Sequence, residues 1–372
     1  MLTRRGFAAR LGAGAAAFRM LPEMAYAQRA AVQNANLPSD MVWLNANENP
    51  MGIPRAALAA MNETLPTAWR YRYQDFRGIY TAIAKSEELA PEQVMVGSGS
   101  SEALHIAVDS LTSATRPLIT VAPTYEGPVE LARALGRPVV LTKLRPDYTA
   151  DVHKLVEEAA RARGGLIYIC NPNNPTSAMT SRQDLDWLVA NLPPDTTLLV
   201  DEAYIHFGDS PDLASALPYV RQGKNVIVTR TFSKIYGMAG MRVGFAAANA
   251  DWVVKMSPLR INVISIVSAK GVVAALDDRH NILRERKAAM SKTRGELCAW
   301  LSERKVRYIE PQANFIMIDV GRNAREFITE MPKQGVAPGR PFPPLDNMLR
   351  VTIGTEQEMA KFRDVFWKVY KA

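Results

Sequence analysis

The 372-residue sequence predicts an α/β fold, on three observations. Short apolar runs alternate with longer amphipathic segments between about residues 92 and 247. Small polar clusters follow several of those runs directly. Beyond about residue 265 the alternation gives way to long helical patterns and a few late strands. Buried strands alternating with helices at this spacing build a mostly parallel sheet covered on both faces. The apolar runs are 93–96, 118–122, 138–141, 166–170, 197–200, 225–229 and 243–247, with helical patterns at 102–111, 150–163 and 182–191 between them. Residues 268–276 and 281–304 read as long helices, and 306–309, 314–320 and 349–353 as strands of a second, smaller α+β domain.

With 48% apolar and 22% charged residues, the composition excludes a disordered chain or a collagen. No apolar run reaches the roughly 18 residues of a membrane helix, since even the Ala/Gly-rich start is interrupted by Arg10 and Arg19. The formal charge is +8, and four Arg against one Glu in the first 27 residues supply part of it. The remaining basicity is spread out and not interleaved with aromatics, so no nucleic-acid partner is expected. Cys170 and Cys298 cannot make a disulfide framework. With His105, His153, His206 and His280 scattered, no metal site is expected either.

At the start of the chain, Thr3-Arg4-Arg5-Gly6-Phe7 precedes a weakly apolar stretch, 8–18, and then Ala25-Tyr26-Ala27, which has the small-x-small form of a signal-peptidase site. Residues 1–27 thus resemble a twin-arginine signal peptide. That implies cleavage after Ala27, the twin-arginine export machinery as a partner, and a periplasmic or extracytoplasmic location; an uncleaved extension on a cytoplasmic protein is the alternative. Residues 28–40 are small and polar and read as a linker.

In an open α/β sheet, ligands bind outside the carboxyl ends of the strands, and five polar clusters fall there. Val96-Gly97-Ser98-Gly99-Ser100-Ser101-Glu102 is a Gly/Ser turn entering a helix, whose free backbone N–H groups suit a phosphate. Pro123-Thr124-Tyr125 puts an aromatic ring at a strand end. Cys170-Asn171-Pro172-Asn173-Asn174-Pro175-Thr176 contains two X-Pro units, which stiffen the turn and fix Asn174 as a donor. Asp201 ends an apolar strand before Glu202-Ala203-Tyr204, where a carboxylate is costly to bury without a partner. Thr231-Phe232-Ser233-Lys234, with Arg242 beyond, offers a lysine whose burial would lower its pKa below about 10.4 and make it a usable amine nucleophile.

One ligand answers all five: a pyridine ring bearing a phosphate, a phenolic oxygen and a carbonyl carbon. Asp201 would pair with the protonated ring nitrogen. Lys234 would hold the carbonyl carbon covalently, Asn174 and Tyr204 would hydrogen-bond the phenolic oxygen, and Tyr125 would stack on the ring. Ser100, Ser101, Thr231, Ser233 and Arg242 would surround the phosphate.

At these residues, and from Leu44-Asn45-Ala46-Asn47-Glu48-Asn49-Pro50 to Leu349-Arg350-Val351-Thr352-Ile353-Gly354-Thr355, the chain resembles the fold-type I pyridoxal-phosphate aminotransferases of class I/II, and among them the histidinol-phosphate aminotransferase branch. The resemblance implies a fold-type I transferase with a large cofactor-binding domain at 65–265, a mostly parallel sheet at its centre. A small α+β domain at 266–372 is joined by residues 28–64. The cofactor implied is pyridoxal 5'-phosphate. Arg350 would bind the substrate's carboxylate or phosphate, with Asn49 and Arg340 also on the substrate side. Tyr73, in Arg72-Tyr73-Gln74-Asp75, would reach the phosphate of the neighbouring subunit's cofactor, which implies a homodimer. Three departures stand out. Gln74 replaces the family's proline and leaves Tyr71 a competitor for Tyr73, Ser177 replaces a glycine, and the stretch 339–344 places Arg340 as the candidate second substrate arginine.

The activity expected is transfer of an amino group from an amino acid or amino phosphate to a 2-oxo acid, with Lys234, Asp201 and Tyr204 catalytic. Lys234 would carry out a 1,3-proton shift. A decarboxylase or lyase on the same scaffold is the nearest rival. A non-catalytic protein that binds the cofactor or an amino acid is a rival of another class, disfavoured because a binder has no use for a proton-shuttling lysine.

Overall fold

The computed structural model describes residues 40–372. The twin-arginine motif, the expected cleavage point and most of the linker lie outside the described residues. The chain enters through β1 (Val42–Leu44), α1 (Arg55–Thr64) and α2 (Arg77–Glu87). Strands and helices then alternate: β2 (Val94–Gly97), α3 (Gly99–Leu111), β3 (Leu118–Ala122), α4 (Gly127–Ala134), β4 (Val139–Lys143), α5 (Val152–Arg161), β5 (Gly165–Cys170), α6 (Arg182–Ala190), β6 (Thr196–Asp201), α7 (Leu217–Arg221), β7 (Val226–Thr231) and β8 (Gly244–Ala247). The remainder comprises α8 (Ala250–Met256), α9 (Ile266–Asp277), the long α10 (Arg279–Glu303), β9 (Tyr308–Ile309), β10 (Phe315–Asp319), α11 (Arg325–Glu330), β11 (Val336–Pro338), β12 (Met348–Thr352) and α12 (Glu356–Lys371).

The central sheet runs β2-β8-β7-β6-β5-β3-β4, parallel except where β8 lies antiparallel to β2 and β7. Every residue of β5, β6 and β7 is buried, as expected of strands covered by helices on both faces. Their apolar side chains enter two large core clusters, one on each face of the sheet. A smaller antiparallel sheet, β12-β10-β9, and a parallel pair, β1 with β11, carry the C-terminal part. Because Val42 pairs with Val336, the first strand is structurally part of the C-terminal unit, and the segment after β1 crosses back toward the central sheet.

Each apolar run lies on an observed strand, with ends shifted by at most two residues. Helices α1, α2, α4, α7, α8, α11 and α12, and strands β1 and β11, have no counterpart in the apolar pattern. α12 did carry a local signal: Thr355 and Glu358 form a reciprocal capping box at its start. Among the described residues no helix is long and apolar enough to cross a membrane.

Candidate active site

The carboxyl ends of β5, β6 and β7 open into a cleft of about 340 Å³. Sheet register decides what faces it. Cys170 at the end of β5 pairs with Asp201 at the end of β6, and Asp201 pairs with Thr229 on β7, so three polar side chains form a row across the sheet. Asp201 Oδ1 accepts from the Ala203 amide and the Thr229 hydroxyl, each at 3.2 Å, while the Cys170 thiol lies 4.0 Å from Oδ2. No ion pair forms at Asp201 among the described residues. Burial pushes its carboxyl up to about 7 despite those two hydrogen bonds.

β7 runs on into Thr231, Ser233 and Lys234, and Thr231 Oγ1 accepts from the Ser233 amide at 3.0 Å, holding this turn. Lys234 Nζ projects into the cleft, donates to the Ala46 carbonyl at 3.1 Å and sits 5.6 Å from the centre of the Tyr204 ring. The Tyr204 hydroxyl accepts from Asn47 Nδ2 at 3.1 Å, and burial raises its pKa, so it is a neutral phenol with its own proton left to give.

The opposite wall is the start of α3. Ser98 precedes it without a side-chain cap, leaving first-turn N–H groups for an anion. Glycine is required here for two reasons. Gly99 adopts φ +76, and a Cβ on it would collide with the Arg242 guanidinium. Gly244, between Gly97 and Thr231 in the sheet, lies where a Cβ would collide with the Ser100 amide. The close approach of helix, strand and Arg242 is thus a cradle that side chains would fill. Arg242 is oriented by bonds from Nη1 to Ala239 O at 3.0 Å and Ser233 Oγ at 3.4 Å.

The C-terminal unit supplies the mouth. Arg350, on β12, is buried and donates to Asn174 Oδ1 at 2.8 Å and the Asn45 carbonyl at 2.6 Å. Asn174 therefore keeps Nδ2 as its donor toward the cleft. Arg340 lies beyond β11 and pairs with Glu126 across the opening.

Ser100, Ser101, Tyr125, Asn174, Asp201, Tyr204, Thr231, Ser233, Lys234, Arg242, Arg340 and Arg350 all line this one cleft. Two expected residues do not. Asn49, expected on the substrate side, is buried outside the lining, its Nδ2 donating to Ile235 O and its Oδ1 accepting from the Met51 amide, each at 3.0 Å. Both ends of its amide are spent on pinning the N-terminal segment beside the Lys234 turn, which corrects that expectation. Tyr73 is 63% exposed and stacks on Tyr71, itself 76% exposed, with ring centres 5.3 Å apart, so neither enters this chain's own cleft.

Sequence reasoning missed Asn45, Ala46, Asn47, Glu48, Glu126 and Cys170 as cleft residues. The segment holding Asn45, Asn47 and Glu48 carries no local signal for the cleft beyond its place in the motif 44–50. It is sewn to β12 by Asn47 N donating to Thr352 Oγ1 at 2.9 Å, and to Asn314 Nδ2 through the Asn47 and Glu48 carbonyls. Ser177, where a glycine was expected, sits at φ +62. Its Oγ accepts from the Gln312 and Ala313 amides at 3.1 and 2.9 Å, which offsets the left-handed strain.

Residues 39–366 match the family described as aminotransferase class I and II. The chain belongs to that family. It is 31% identical over 329 residues to a histidinol-phosphate aminotransferase of Symbiobacterium thermophilum, covering 87% of this chain and 89% of that one. It is 30% identical over 330 residues to one of Moorella thermoacetica, covering 87% and 84%. A solved histidinol-phosphate aminotransferase from Sinorhizobium meliloti, in complex with pyridoxal-5'-phosphate, shares the fold at 22% identity and a TM-score of 0.84, over 95% of this chain and 98% of that one.

The protein is a pyridoxal-phosphate-dependent aminotransferase, and its residues fit the cofactor. A buried carboxylate that forms no ion pair among the described residues suits a protonated ring nitrogen, a glycine-built helix start beside an arginine suits a phosphate, and an amine in the same cleft suits an aldehyde.

Proposed function

We propose that this chain moves an amino group between an amino acid, or an amino phosphate of the histidinol phosphate type, and a 2-oxo acid. The observation that carries the reading is the meeting of Lys234, Asp201 and Arg350 in one cleft. Bound there, pyridoxal phosphate supplies an aldehyde carbon to which the amine attaches and a cationic ring that stabilises the electron pair left when the donor's Cα–H bond breaks. Asp201 would hold a proton at the ring nitrogen, and the burial that raises its pKa is the cost a cation there would offset. Ser100, Ser101, Thr231, Ser233 and Arg242 would hold the phosphate, Tyr125 would lie against the ring, and Tyr204 OH and Asn174 Nδ2 would donate to the phenolic oxygen.

Lys234 Nζ accepts the proton that leaves the donor's α-carbon, and its placement as a base is worth about 10² to 10⁴ in rate. Arg350 orients the donor's carboxylate or phosphate. Its own hydrogen bond to Asn174 ties anion recognition to a residue that contacts the cofactor. We further propose a homodimer in which Tyr73 reaches the partner's cleft; the exposed Leu65, Trp69, Tyr71 and Tyr73 support it. Export to the periplasm is proposed from Arg4-Arg5 and Ala25-Tyr26-Ala27.

Adding candidate donors one at a time to cofactor-loaded protein and following conversion of the absorbing aldehyde form to the amine form tests the reaction. At least one singly anionic donor converts it, and Lys234→Ala abolishes conversion; carbon dioxide release in place of a 2-oxo acid would overturn the reading. Light scattering tests the dimer, and sequencing the mature N-terminus after export tests cleavage at Ala27.

A further inference from the structure

Resting on that reading, we propose that Glu126 is a specificity-determining residue: its carboxylate stands in for the second anion of a doubly anionic substrate. Glu126 is the residue before α4 and makes no side-chain cap bond there. It reaches across the opening to Arg340 Nη2 instead. Arg340 comes from the stretch after β11, 214 residues away, and both side chains line the cleft. The two guanidinium groups of the mouth share one ring. Arg340 Cζ lies 4.2 Å and Arg350 Cζ 4.6 Å from the centre of Phe342, which is itself buried. Packing on one buried ring keeps the two cations near each other at the mouth, the arrangement a dicarboxylate can bridge.

The magnitude decides whether Glu126 locks Arg340 or yields it. The pair is 39% and 37% exposed. Ion pairs of that exposure are weak, and among the described residues no second side-chain partner holds the Glu126 carboxylate in place. A substrate with one anion leaves the pair closed and meets an electrically neutral outer wall. A substrate with two anions takes Arg340 from Glu126 and expels that carboxylate into solvent. An aminotransferase must accept two different side chains in one cleft, and this exchange lets it do so without moving the backbone.

The test is calorimetric binding of glutarate and butyrate to the cofactor-loaded protein. In Glu126→Gln, which keeps the side-chain shape and removes the charge, glutarate binds about fivefold tighter relative to butyrate than in the natural protein. In Arg340→Gln, and in the double variant, that gain disappears and glutarate loses its advantage. An unchanged or lower glutarate-to-butyrate ratio in Glu126→Gln overturns the proposal. So does a gain that survives in the double variant. Conversion of the natural protein by singly anionic donors is scored separately, so failure of the aminotransferase reading shows in the natural protein alone and failure of the Glu126 role shows only in the variants.

Discussion

Asp201 and Glu202 are consecutive in the chain, both are buried carboxylates, and alternation at a strand end sends them to opposite faces of the sheet. Thr229 and Arg230 on the neighbouring β7 meet them one each. Glu202 is fully answered: Arg230 donates to it through Nε at 3.0 Å and Nη2 at 2.7 Å, Ser215 Oγ at 2.9 Å and the Ala216 amide at 2.5 Å. Arg230 continues to Glu87 at 2.6 Å, and Glu87 to Arg279 at 3.2 Å, so the network ties α2 and the start of α10 to the sheet. Asp201 receives two neutral hydrogen bonds and forms no ion pair among the described residues, and burial outweighs the more distant Lys234 charge and raises its pKa. A buried charge the protein neutralises by itself is architecture. One left for something else to neutralise marks a site.

The largest expected effect probes the first half of that contrast. Glu202→Ala leaves Arg230 with Glu87 as its one carboxylate, strips the Ala216 amide of its acceptor, and lowers the free energy of unfolding by about 3 to 5 kcal/mol, read as a fall in the urea midpoint of the apoprotein. Asp201→Asn has the reverse profile: kcat falls about 10²- to 10³-fold while the apoprotein's urea midpoint at pH 8 holds or rises. Equal destabilisation by the two substitutions would break the comparison.

A pH series sharpens it. Asp201 in the folded apoprotein holds its proton up to about 7, whereas the unfolded chain releases it near the ordinary carboxylate value of 3.8. Between those values the folded state binds more protons, so this group makes stability fall as pH rises from about 4 to 7, on the order of 2 kcal/mol once solvent in the open cleft is allowed for. Urea midpoints across that range show the slope in the apoprotein. It vanishes in Asp201→Asn and flattens when pyridoxal phosphate is bound. The smallest effect concerns the phosphate cradle. Gly99→Ala lowers cofactor affinity about tenfold by displacing Arg242 and straining a left-handed residue. Fluorescence titration measures it against Gly295→Ala, which has open space around it and loses nothing.

Much of this site was legible in the sequence because each cluster is local. Asp201, Lys234, Asn174 and the Gly/Ser turn each follow directly from a strand whose apolar run is plain, and strand ends in a parallel sheet converge by topology. Cys170 was quoted within its cluster, yet only the register that sets it opposite Asp201 makes it a cleft residue. Asn49 was misjudged because nothing local says whether an asparagine amide faces a ligand or the backbone of a turn 186 residues away.

The sequence by itself determined the α/β alternation, the cofactor-binding clusters and the chemistry they share, because periodicity and strand-end chemistry act over a few residues. Tertiary structure alone decided that Asn45 answers Arg350 across 305 residues, that Asn174 is turned by the same arginine, and that Glu126 takes Arg340. Those contacts depend on how a small sheet is set against a large one, an orientation fixed by packing of whole elements and written in no short stretch of chain.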